Sequence, residues 1–110
     1  MGDHKSRQIF SSSGVADGDW FFVGDSSYKS LHFALLELGG TIELRSSNKL
    51  TKPASGDQEA PLFLPVTSGE AGTHGFFDIS QLMTWLRVRK TAVGGAPETT
   101  TAVLREGIIT

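Results

Sequence analysis

The stretch that decides the fold runs from Tyr28 to Ser46 and reads YKSLHFALLELGGTIELRS. In its first half Leu31, Phe33 and Leu35 alternate with His32 and Ala34. A period of two is that of a strand with one face buried. In its second half Ile42 and Leu44 alternate in the same way with Thr41, Glu43 and Arg45. A helix across Lys29–Leu38 is the competing reading, because Ala34, Leu35, Leu36, Glu37 and Leu38 favour helices. Gly39-Gly40 favours two strands, since paired glycines suit the turn of a hairpin.

Outward from this pair the apolar residues keep to short runs separated by turn chemistry. Gln8–Phe10, Trp20–Val23, Pro61–Thr67, Phe76–Ile79, Thr84–Val93 and Thr99–Arg105 read as further strands. Pro61 and Pro65 make the third of these an edge or a bulged strand. Leu86 and Val88 share one face of Thr84–Val93, and Trp85, Arg87 and Arg89 share the other. Gly94-Gly95-Ala96-Pro97 reads as the turn of a last hairpin. The sum is an all-β chain: an antiparallel β-sandwich, Ig-like or jelly-roll-like, of about seven to eight short strands. Phe33, Leu35, Ile42, Leu44, Leu86, Val88 and Leu104 form its expected core. Residues 1–17 are expected to be an N-terminal arm with a first short strand, 18–106 the sandwich, and 107–110 a C-terminal tail.

Composition agrees with that class. Leu, Ile, Val and Phe make up 29 of 110 residues, enough for a core, while Gly, Ser and Thr make up 35, a load that disfavours a helical bundle. Ten Lys and Arg against twelve Asp and Glu leave a formal charge of −2, which provides no field to hold nucleic acid or an anionic membrane. No apolar run approaches the roughly 20 residues of a membrane span. The start MGDHKSRQIF has no apolar signal region, and its superficial match to a myristoylation start is joined by no second anchor.

Chemistry-bearing residues are sparse. The chain has no Cys, so thiolate ligands and cysteine nucleophiles are excluded. His4, His32 and His74 share no ligand spacing. Asp17, Asp19 and Asp25 surround Trp20–Val23 without the spacing of a calcium loop, and Asp17-Gly18 reads as a turn. Asp78 with Glu70 or Glu98 is the nearest thing to a glycosidase pair. The expectation is no catalytic residue, no cofactor and no metal.

A stronger signal is the doubling of large apolar residues at Trp20–Val23, Leu35-Leu36, Phe63-Leu64 and Phe76-Phe77. A sheet with one wet face should alternate cleanly. Doubling implies cover on both faces, by the chain's own loops, by a bulge or by other subunits. Ile9, Phe10, Trp20, Phe22, Trp85, Arg87, Arg89, Ile108 and Ile109 are the expected interface residues. The stretch from Gly39 to Ser47, the loop to Pro61, Trp85-Leu86-Arg87-Val88, and the glycine turn before the final Thr, Val and Leu resemble small β-sandwich virion proteins of tailed bacteriophages. The chain departs from that pattern at Asn48-Lys49, where Asn or Asp followed by Gly is usual. The resemblance implies a structural role without catalysis. It points to a capsid decoration (cement) protein, a homo-oligomer, possibly a trimer, that contacts itself and the major capsid protein in the virion. A head–tail or tail-surface component is the alternative, as is a carbohydrate-binding module stacking sugars on Trp20, Tyr28 or Trp85.

Overall fold

A computed structural model describes residues 3–63, 65–69 and 73–108. In chain order the strands are β1 (Asp3–Ser12), β2 (Ala16–Asp17), β3 (Phe21–Phe22), β4 (Tyr28–Leu35) and β5 (Thr41–Ser47). They continue with β6 (Ala60–Pro61), β7 (Val66–Thr67), β8 (Thr73–Ile79), β9 (Trp85–Ala92) and β10 (Thr100–Ile108). Two antiparallel sheets result. One has the order β1-β10-β4-β8; the other has the order β2-β9-β5-β6, with β3 also on β9 and β7 also on β5. There is no helix among the described residues.

The alternation read from the sequence builds the core. Leu31, Phe33 and Leu35 of β4 and Leu104 of β10 face Ile42 and Leu44 of β5 and Leu86 and Val88 of β9. All seven expected core residues are buried. Removing this much apolar surface from water is the main term holding two sheets together.

Two connections differ from expectation. Gly39-Gly40 does not close a hairpin, and neither does Gly94–Pro97. β4 and β10 lie in one sheet and β5 and β9 in the other, so both connections carry the chain across the sandwich at the same end. Alternation shows which face a strand buries but not which strand it pairs with. Gly39 adopts φ of +84°, a conformation glycine reaches without strain. Its neighbour Gly94 packs so closely on the Leu38 carbonyl that a Cβ there would collide with it.

This corner is held by buried charge. The Lys90 ammonium donates to Glu37 Oε1, to the Glu98 carbonyl (3.2 Å) and to the Ser13 carbonyl (3.4 Å). Glu37 also accepts from the backbone N–H groups of Gly94 and Glu98. Both side chains are fully buried. The Lys90 hydrogen bond, followed by that from Gly94 N–H, holds the Glu37 carboxyl below the usual carboxylate range against the opposing effect of burial.

The ends of the chain also differ from expectation. Residues 3–12 form a strand of the sheet and not an arm. β1 runs antiparallel along β10 from Asp3 opposite Ile108 to Ser12 opposite Thr100. A bulge between Gln8 and Phe10 breaks the alternation, so that Ile9 and Phe10 are both buried in the core. Arg7 fastens the strand: its Nη2 donates to the Phe22 carbonyl and lies 2.8 Å from the buried carboxylate of Glu106, which also accepts from Ser26. The tail drawn at 107–110 begins inside β10, where Gly107 stands opposite His4 and Tyr28. Pro61–Thr67 splits into β6 and β7, two short edges on β5, as two prolines without N–H groups require.

Candidate interaction surface

Odd-numbered residues of β9 point away from the core, and this sets the outer face of its sheet. Trp85, Arg87 and Arg89 stand there in a row, half-buried, while Leu86, Val88 and Lys90 face inward. β2 and β3 bring Asp17 opposite Arg89 and Phe22 opposite Trp85. β5 brings Arg45 opposite Arg87 and Glu43 opposite Arg89 from the other side.

Two arginines directly opposite each other would repel. Glu59, from the loop before β6, resolves the conflict. Its carboxylate accepts from Arg87 Nη2 (2.6 and 2.7 Å) and from Arg45 Nε (2.8 Å). Burial pushes the Glu59 carboxyl up, but Arg87 and then Arg45 outweigh it and leave it below the usual range. Arg89 donates to Asp17 (2.6 Å) and Glu43 (3.2 Å), and the Asp17 bond raises its already high pKa further. Three arginines and three carboxylates thus form a ladder with no net charge.

Aromatic residues flank the ladder. The Arg87 guanidinium lies over the Trp20 ring, 4.7 Å from its centroid. Trp20 is only 8% exposed. Phe22 and Trp85 meet edge to face at 5.5 Å, and Trp85 Nε1 donates to the Lys49 carbonyl. A groove of about 440 Å³ beside Trp20 holds Asp19 and Lys52, which pair at 2.9 Å. Lys52, with the Trp20 N–H, holds Asp19 below the usual carboxylate range. Asp17 and Asp19 thus each have their own cation.

The structure therefore brings Trp20, Phe22, Trp85, Arg87 and Arg89 to one face. It removes Ile9 and Phe10 from the candidate interface and places them in the core. Ile108 ends β10, and Ile109 lies outside the described residues, as does Glu70. Trp20 is buried, with Arg87 over one ring face, and so presents little flat surface for stacking.

The residues most available for contact are elsewhere. Val15, Leu36, Leu38 and Val93 are exposed on the loops that converge on Glu37 and Lys90. Leu50 is 96% exposed and Leu82 82% exposed at the opposite end, which Phe22 shares. Phe76 is 72% exposed on β8 and stacks on His32, with ring centroids 4.6 Å apart. The signal for Leu50 was a single large apolar residue inside an otherwise polar loop, whereas Leu82 stands beside the buried Met83 and carried no such signal.

No protein-family model matches the sequence, and no curated protein matches it. Among solved structures it is similar to the crystal structure of the SPBc2 prophage-derived protein YomS. The two share 14% sequence identity with a TM-score of 0.65, over 97% of this chain and 95% of that one. At that identity the likeness establishes a shared all-β fold.

Proposed function

We propose that the protein is a structural component of a phage virion, a capsid decoration or cement protein that acts through protein–protein contacts. The observation that carries this reading is the end-to-end likeness of its fold to that of a prophage-derived protein, over nearly the whole of both chains. The surface supports it. Exposed apolar residues gather at the two ends of the sandwich, at Val15, Leu36, Leu38 and Val93 and at Phe22, Leu50 and Leu82. Such residues mark contact sites when they cluster. The outer face of the β2-β9-β5-β6 sheet between them carries charges that neutralise one another. A plate of 45 × 35 × 20 Å with apolar ends suits a position where it bridges larger neighbours.

In this role the protein contacts the major capsid protein and further copies of itself, and carries out no chemistry. Deletion of its gene from the encoding phage genome tests the reading. The expected result is particles that assemble and package DNA but lose it at a lower temperature than the parent. Particles with unchanged composition and heat resistance would contradict the proposal. Heads that fail to join tails would replace the cement role with the head–tail one.

A further inference from the structure

We propose that β8 is a homotypic docking edge, through which two copies pair antiparallel about a two-fold axis at Phe76. Two four-stranded sheets would then become one sheet of eight strands.

The edge is available. Among the described residues β8 pairs only with β4, so the outward half of its backbone N–H and C=O groups faces no strand. Edges of this kind are templates for another chain unless they are blunted. The opposite edge is blunted. β1 carries Lys5 and Arg7, and Arg7 is committed to Glu106 and Phe22. β8, with sequence THGFFDI, contains no Lys, Arg or Pro.

The sequence of β8 fits a second copy of itself. A two-fold axis at residue 76 sets 75 opposite 77 and 74 opposite 78 of the other copy. On the inner face Gly75 then meets Phe77. Gly75 already has the Phe33 ring lying over it on the β4 side, where a Cβ would sit 2.8 Å from the Phe33 Cζ. Phe77 in turn stacks on Phe33 (5.1 Å) and Phe63 (4.9 Å). A glycine opposite a phenylalanine lets these rings interleave across the join, where two phenylalanines would collide. On the outer face Phe76 meets Phe76. The existing His32–Phe76 stack becomes a ladder of four rings, and aromatic pairs directly opposite on antiparallel strands are favourable.

A seven-residue edge buries an area at the low end of specific interfaces. The pairing is therefore weak in isolation and strengthens where many copies are held close together. It stands apart from the virion reading, because it is measured on the purified chain alone.

Sedimentation equilibrium of the full chain, from micromolar to millimolar concentration, tests it. The wild type is expected to dimerise with rising concentration. Phe76→Lys is expected to weaken the dimer at least about tenfold, as a central aromatic contact does, with an unchanged melting temperature because Phe76 lies outside the core. The chain has no cysteine, so Phe76→Cys gives a second readout. Mild oxidation should link two copies through position 76 faster than through Ser55→Cys, a control on an exposed loop. A wild type that stays monomeric at millimolar concentration, Phe76→Lys that associates like the wild type, or equal cross-linking at both positions would each overturn the proposal.

Discussion

Replacing Phe10 with alanine is expected to destabilise the domain by about 3–5 kcal/mol, the range for truncating a buried phenylalanine. Phe10 is 6% exposed and lies in the main core cluster, inserted there with Ile9 by the β1 bulge. A domain of this size has roughly 5–15 kcal/mol in total, so the loss is a large share of its stability. Urea unfolding measures it: the midpoint should fall while the slope stays constant. Phe22→Ala, at a residue 45% exposed, should change stability by less than about 1 kcal/mol. The pair of variants separates the two roles that the sequence assigns alike to Phe10 and Phe22. If Phe10 sat in an extended arm, its removal would leave the melting curve unchanged.

Lys90→Met is expected to lower the melting temperature by roughly 10–30 °C, because it leaves the buried Glu37 carboxylate without its counterion. The double variant Glu37→Met with Lys90→Met should recover much of that loss, since an apolar pair of similar volume avoids the desolvation of both charges. The pH dependence follows from the depressed pKa of Glu37. A carboxyl lowered on folding contributes stability that is fully present above its unfolded pKa. That stability is lost as pH falls through the folded value, below the ordinary glutamate range. The gap between the wild type and Lys90→Met should therefore narrow in acid, where Glu37 becomes protonated in both. Thermal melts between pH 7 and pH 3 read this out. A gap that stays constant across that range would mean that the pair contributes through packing alone.

The sequence showed which residues are buried more clearly than which strands are neighbours. Leu31, Phe33 and Leu35, and Ile42 and Leu44, alternate because each strand has one dry face, and that pattern is local. Whether β4 pairs with β5 or crosses to the other sheet depends on residues distant in sequence, among them Lys90, Gly94 and Glu98. Nothing in the run LLELGG distinguishes a buried glutamate at 37 from a solvated one. Ile9-Phe10 was misleading for a related reason. A doubled apolar pair marks either cover by a partner or a bulge, and only the register along β10 separates the two.

The candidate surface was legible in part. Trp85, Arg87 and Arg89 share a face because they lie two apart. The addition of Trp20 and Phe22 to that face required β3 to pair with β9. Glu43 and Glu59, which neutralise the arginines, were not read as their partners, because both pairings span separate strands and a loop. The ladder they form also shows that Arg87 and Arg89 satisfy their charge within the chain.

We propose that this domain works as a built-in part of a phage particle. Quantitative mass spectrometry of gradient-purified particles from the encoding phage tests it most directly. The chain is expected to co-purify with the particles at a fixed ratio to the major capsid protein, and the ratio should be unchanged by a further gradient step. A chain abundant in the infected lysate but absent from the purified particles would contradict it.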